Sequence, residues 1–381
     1  MVAQLISVAD RPVDAALLAS RGHVIRHFTP QWFAATMGTG ILSVALAQFP
    51  GHPLLFQAGQ ALWLLNIALF AGCALLYGAR WVLYPDEAAR IFQHSVVSMF
   101  FGCVPMGLAT IINGFLIYGI AQIGEMAVAI ATQLWWIDVA LSLACGLAIP
   151  FMMFTRQSHS IDRMTAVWLL PIVASEVAAV SGGLLLPHLA GAEPQLAVLF
   201  TSLLLWACSV PLAMSVLVVL FMRMVLHKLP PISMASSSWL ALGPIGTGAL
   251  GLFVLYQNAP AVLTANGLGD VASAVAGASL LGGILLWGYG AWWLAMAVMI
   301  TLRYAREGIP FNIGWWGYTF PLGVYAVATL RLAQIIPLAA VFALGAVLVA
   351  LLAAIWVFVA ARTVRGVCDR SLFVSPCLAA D

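Results

Sequence analysis

Charge is what this chain has least of. Only 7% of its residues are Asp, Glu, Lys or Arg, and its net charge is +2. Such a balance offers no basic footprint for nucleic acid, and no nucleic-acid partner is expected. Cysteine is sparse and scattered. Cys73, Cys103, Cys145, Cys208, Cys368 and Cys377 include no CxxC pair, so neither a zinc nor a redox site is indicated and no metal or cofactor is expected. Residues 1–27 carry Asp10, Arg11, Asp14, Arg21 and Arg26 and lack a signal peptide's apolar stretch and cleavage site; they read as a short cytosolic segment. What fills the chain is apolar. With 64% hydrophobic residues over 381 positions and a mean hydropathy of +1.06, no soluble domain hides that much surface. The chain is expected to be an all-α integral membrane protein with the lipid bilayer as its solvent.

A crossing helix needs roughly 20 apolar residues. Ten stretches qualify: about 28–49, 58–82, 94–119, 127–154, 164–189, 195–226, 236–258, 273–302, 312–336 and 337–362. Lys and Arg are missing from every second connection. Fourteen of the fifteen basic residues lie in the N-terminal segment, in the 2–3, 4–5, 6–7 and 8–9 connections, and in the tail. The opposite connections hold Glu125, Glu193 and Asp270 instead. By the positive-inside rule both termini are cytoplasmic. The expected divisions are a cytosolic segment 1–27, a ten-helix domain 28–362 and a short cytosolic tail 363–381.

A pattern repeats once per two spans. Pro105-Met106-Gly107, Pro171-Ile172-Val173, Pro244-Ile245-Gly246 and Pro321-Leu322-Gly323 place their prolines 66, 73 and 77 residues apart. A copy without proline, Thr36-Met37-Gly38, lies 69 residues before Pro105-Met106-Gly107. Proline removes a backbone donor and strains the preceding turn, which lipid tolerates only against protein or a watery cavity. The five copies fall in odd-numbered spans that all run from inside to outside. That fits parallel repeats about an axis along the membrane normal: five helical hairpins in a quasi-five-fold arrangement around a central pore. Gly38, Gly40, Pro105, Gly107, Pro171, Pro244, Gly246, Pro321 and Gly323 are then the expected pore-lining or helix-break positions. The even spans would form the outer layer.

Ionisable groups at depth are few, and each is a functional candidate. Asp138 is either a carboxylate bonded to a neighbouring helix or part of a coupling site. Glu176 is either a packing residue or a proton-coupling group. Arg331 either snorkels to the outer interface or draws anions to the outer mouth. His94 and His188 sit near the interfaces and read as structural or incidental. If the prolines of spans five and nine are level, Glu176 and Arg331 stand about 7.5 Å apart along the axis, within reach of a pair. The odd spans otherwise offer neutral hydrogen-bonding groups: Thr36, Thr39, Ser43, Ser98, Thr110, Asn113, Ser175, Thr247 and Thr319. No odd span supplies the carboxylate ring that suits cations, but the sign of a permeant ion does not follow from these residues. Phe320 either plugs a narrow lumen or packs between helices.

Several motifs together carry a resemblance. They are Phe28-Thr29-Pro30-Gln31-Trp32-Phe33 with Met37-Gly38-Thr39-Gly40, and Met99-Phe100-Phe101-Gly102 with Pro105-Met106-Gly107. Trp135-Trp136-Ile137-Asp138, Trp168-Leu169-Leu170-Pro171, Ser181-Gly182-Gly183, Gly243-Pro244-Ile245-Gly246 and Trp315-Trp316-Gly317-Tyr318-Thr319-Phe320-Pro321 complete the set. Over about 28–362 the chain resembles the tellurite-resistance/dicarboxylate transporter family. That family includes a bacterial tellurite-resistance anion channel, the plant slow anion channel, the yeast malate permease and the fungal sulfite efflux pump. Trp168 through Gly183 is most similar to the sulfite-efflux branch. The resemblance implies ten helices as five hairpins, a pore lined by the odd helices, a homotrimer, and a pore-blocking phenylalanine in helix nine that matches Phe320.

The expected function is transport of small anions across the cytoplasmic membrane. Sulfite efflux or dicarboxylate (malate) transport leads, with chloride and nitrate as further cargoes. A passive channel competes with a proton-coupled dicarboxylate carrier using Glu176. An intramembrane enzyme would need a converging nucleophile, base or metal set, which the scattered His94, Asp138, Glu176 and His188 do not offer.

Overall fold

The computed structural model describes residues 21–378, and those residues form helices and connecting turns without a strand. Most of the expected N-terminal segment, with Asp10, Arg11 and Asp14, lies outside the described residues, as does the end of the tail. Ten long helices organise the rest: α1 (Phe33–Leu46), α2 (Pro53–Leu83), α3 (Cys103–Gly114), α4 (Glu125–Thr155), α5 (Leu170–Leu185), α6 (Ala192–His227), α7 (Leu242–Ala265), α8 (Gly269–Ala305), α9 (Thr319–Ile335) and α10 (Ala339–Cys368).

Eight helical stretches are long and apolar enough to cross a membrane. The two others among the ten are α1, with 14 residues, and α9, with 17. Both are shorter than the sequence spans suggested because their entries are wound as 3-10 turns, Pro30–Trp32 and Ile313–Tyr318.

Burial sorts the helices by parity. The most apolar windows of the stretches containing α3, α5 and α7 are 78%, 94% and 89% buried, against 17% to 33% for the even helices. Along the even helices large apolar side chains point outward, among them Leu75, Phe154, Phe200, Leu285 and Val347. A helix apolar all round that buries little of itself in protein has lipid as its remaining apolar environment. The inner helices touch in sequence: α1 packs on α3, α3 on α5, α5 on α7, α7 on α9, and α9 returns to α1. Each even helix rests on the two inner helices that flank it in the chain, with α10 resting on α9 and α1.

The repeated prolines are not mid-helix breaks. Pro105, Pro171, Pro244 and Pro321 each stand in the first turn of α3, α5, α7 and α9. There the backbone N–H groups have no intrahelical partner, so a missing donor costs nothing. The motif marks where a helix begins. The prolines inside long helices, Pro150, Pro211 and Pro260, lie outside the repeat.

Small residues let the ring close. A Cβ added to Gly40 of α1 would lie 1.9 Å from Thr110 Oγ1 of α3, and one on Gly323 of α9 would lie 2.6 Å from the Ile41 side chain of α1. Gly38, Gly107 and Gly246 face Thr319, Thr36 and the Tyr325 backbone in the same way.

The tail is partly helical and partly a clasp. Helix α10 runs to Cys368, beyond the expected boundary at 362, and the chain then turns back onto its own beginning. Phe373 stacks on Trp32, which stacks on Phe28, with centroid separations of 4.8 and 5.6 Å. The buried Arg80 of α2 donates to Phe28 O at 2.5 Å and to Ser375 Oγ at 3.4 Å. His27 Nδ1 accepts the Ser375 N–H at 3.1 Å. Burial, then the charges of His23, Arg26 and Arg80, lower the His27 pKa to about 4, which keeps that nitrogen free to accept.

Candidate functional site

A cavity of about 160 Å³ lies inside the ring, and all five inner helices contribute to its wall. Helix α9 presents Phe320, Val324, Val327 and Arg331, spaced four, three and four residues apart. That spacing is one stripe of one helix. At 1.5 Å per residue it spans about 16 Å, roughly half a bilayer. Ile41 and Val44 form the matching stripe on α1, with Gln48 in the turn just past its end, and Val177, Val180, Leu184 and His188 continue it along α5 and its closing turn. From α7 come Thr247 and Leu250. Helix α3 gives Thr110 and Asn113, followed by Leu116 and Ile117 from a π turn, Phe115–Gly119. One wide turn shifts the helical register, and such turns recur at functional sites.

Phe320, 2% exposed, stands at the end of the stripe where α9 begins, and Arg331, His188 and Gln48 stand at the other. Most of the wall between them is aliphatic. Among the described residues, the ionisable side chains on it are Arg331 and His188, and no carboxylate lines it. Two neutral groups on the wall keep an unpartnered atom among the described residues, the Thr247 hydroxyl and the Asn113 carbonyl oxygen.

Glu176 is fully buried one residue from the wall residue Val177, but it is not on the wall. A single step along a helix turns a side chain by about 100°, which aims it elsewhere. The Ser209 hydroxyl of α6 stands by it, yet that proton goes to Ile172 O at 2.9 Å, and neither carboxylate oxygen has a hydrogen-bond partner among the described residues. Asp138 is the same kind of group on the other side of α5. Trp135 Nε1 donates to Ala178 O at 2.8 Å and Ser142 Oγ donates to Ala174 O at 3.2 Å, which brackets Asp138 against α5 near the depth of Glu176. Both its oxygens are buried without a partner among the described residues.

The Glu176–Arg331 pair does not form. Arg331 Nη1 donates to Gln257 Oε1 and Gln334 Oε1, each at 3.3 Å. Arg331 faces the cavity and Glu176 faces α6. Gly38, Gly40, Gly107, Gly246, Gly323 and the four first-turn prolines lie at helix contacts and helix starts, not on the wall of this cavity.

Of the nine neutral polar groups noted in the odd spans, Thr110, Asn113 and Thr247 reach the wall. Others are spent locally or on outer helices: Ser43 Oγ donates to Gly59 O at 2.7 Å, Thr319 Oγ1 donates to Trp316 O at 2.7 Å, and Thr39 Oγ1 accepts Trp356 Nε1 at 3.1 Å. Sequence reasoning missed Gln48 and treated His188 as incidental. The stripe running back from Arg331 through Val327 and Val324 to Phe320 was the signal for the wall; for His188, eleven residues past Val177, the equivalent stripe on α5 was the signal.

A family model described as voltage-dependent anion channel matches residues 27–364. The sulfite efflux pump SSU1 of Arthroderma otae is 37% identical over 354 residues, covering 92% of this chain and 93% of that protein. An uncharacterized transporter of Methanocaldococcus jannaschii, MJ0762, is 30% identical over 92% of this chain and 97% of its own. The malic acid transport protein of Schizosaccharomyces pombe is 25% identical over 90% of this chain and 78% of its own.

Proposed function

We propose a conduction path for this chain, which belongs to the voltage-dependent anion channel family and is a multi-pass membrane transporter of anions, not an enzyme. The anion passes through the cavity within the five inner helices, and Phe320 is its constriction. One observation carries the reading. The wall holds an arginine and a histidine, and both buried carboxylates near it are turned away. In a narrow, low-dielectric channel that asymmetry decides the sign of the permeant ion, because an unscreened charge acts strongly there. Cations meet no compensating carboxylate; anions meet Arg331 and the Thr247 hydroxyl.

The remaining features follow the same reading. Ten crossings as five hairpins in quasi-five-fold array are supported by the closed sequence of inner contacts and by the flanking position of every even helix. A cytoplasmic-membrane location with cytoplasmic termini is supported by the one-sided placement of fourteen basic residues. Apolar faces on the even helices leave surface for both lipid and two further copies in a homotrimer. The relatives named for sulfite efflux and malic acid transport support sulfite or a small dicarboxylate as the physiological cargo.

A proton-coupled carrier is the second reading, favoured by the unpartnered Glu176 carboxylate at mid-depth. The orientation of Glu176 toward α6 supports the passive channel over it. Purified Glu176→Gln protein in liposomes distinguishes the two. The channel reading expects downhill anion flux within about twofold of wild type, a barrier change below ~0.5 kcal/mol, and no uphill movement driven by a pH gradient in either protein. Uphill accumulation by wild type that vanishes in Glu176→Gln establishes the carrier instead.

A further inference from the structure

The cavity wall carries two ionisable side chains, and they differ in kind. Arg331 is charged at every physiological pH, whereas an ordinary imidazole changes charge near pH 6.5. His188 closes the 3-10 turn Leu186–His188 at the outer end of α5 and lines the same cavity as Arg331. It is exposed, and it has no hydrogen bond or ion pair among the described residues. Nothing in the fold therefore fixes its protonation state by a partner.

We propose that His188 is a proton-operated charge at the outer mouth of the anion path, so that acidification strengthens anion entry by adding a second positive group beside Arg331. The proposal rests on the reading of this cavity as the path. Its turn packs against α5, α6 and α7. On those elements and across the cavity, the charged or titratable side chains near that end are Glu193 in the first turn of α6, Tyr256 on α7, and Arg331 on α9. Glu176 on α5 lies 12 residues lower, about 18 Å along the axis. The turn after α1 and helix α3 contribute Gln48, Thr110 and Asn113 to the wall, all neutral. A proton on His188 thus adds a second positive charge to the cavity wall beside Arg331, while Glu193 stays off that wall. Clefts of one sign with low-dielectric walls focus the field and raise the local concentration of the opposite ion by tenfold or more.

Nitrate flux in liposomes holding the full chain tests this, because nitrate keeps its charge across the range. The pH is lowered equally on both sides from 8 to 5, so no proton gradient drives transport. Wild-type flux is expected to rise roughly threefold to tenfold. His188→Gln removes the rise, His188→Lys gives high flux at both pH values, and Arg331→Gln lowers flux throughout while keeping the rise. An equal rise in His188→Gln, or a flat wild type, overturns the proposal. If nitrate crosses in neither wild type nor Phe320→Ala, the path itself is wrong and the proposal falls with it.

Discussion

Phe320→Ala is expected to raise downhill nitrate flux at least about tenfold, a lowering of the barrier by ~1.4 kcal/mol. The ring stands at the end of the cavity where α9 begins, and the wall beyond it is mostly aliphatic. A narrow apolar constriction excludes water, and an ion that must shed its hydration there meets the highest barrier on its route. Removing the ring widens and wets that point. The competing role, packing between helices, makes a different prediction. A phenylalanine fully engaged in a core costs about 3–5 kcal/mol when cut to alanine, and its loss leaves flux unchanged or abolishes it through misfolding. Flux and thermal stability measured on the same preparation separate the two. Higher flux with a stability loss well below that range identifies a constriction; a large stability loss without added flux identifies a packing residue.

Gly102→Ala is expected to abolish correct assembly of the inner ring. Gly102 ends the 3-10 turn leading into α3, and an added Cβ would lie 2.2 Å from Leu170 O and 2.6 Å from Leu170 C, at the start of α5. Both atoms are backbone, so no side chain can swing aside. The two inner helices must separate where α5 begins, at a cost of about 3 kcal/mol, the upper end of ordinary overpacking. Gly72→Ala on α2 is the comparison, because its Cβ meets nothing within 4 Å. That change also favours the helix by up to ~1 kcal/mol. Unfolding temperature in detergent should fall sharply for Gly102→Ala and hold or rise for Gly72→Ala. Equal behaviour of the two variants contradicts the close packing of α3 on α5.

Much of this architecture was legible in the sequence because lipid imposes simple rules. Apolar length gave the outer helices. Which side of a helix faces the cavity was less legible. Glu176 and Val177 are neighbours in sequence, yet one faces α6 and the other the wall. Residue type singles out Glu176, and only the packing shows that its carboxylate is turned from this wall. The Pro-x-Gly repeat marked the right places for another reason. A proline in the first turn and a proline in mid-helix read alike, and the preceding 3-10 turns decide between them. The polar inventory misled in the same way, since Thr39 and Ser43 bond outer helices. The π turn at Phe115–Gly119 left no sequence signal.

The central claim is that anions travel along the stripe from Arg331 to Phe320. The most direct test places a cysteine on that stripe and one beside it, both in the Phe320→Ala background to give ample flux. Val327 lies on the wall, and Ala326, equally buried, does not. A negatively charged, membrane-impermeant thiol reagent is added and nitrate flux is followed. The account predicts that Val327→Cys is modified and loses most of its flux, while Ala326→Cys and the unmutated background keep theirs. Unchanged flux in treated Val327→Cys, or equal loss in Ala326→Cys, contradicts it.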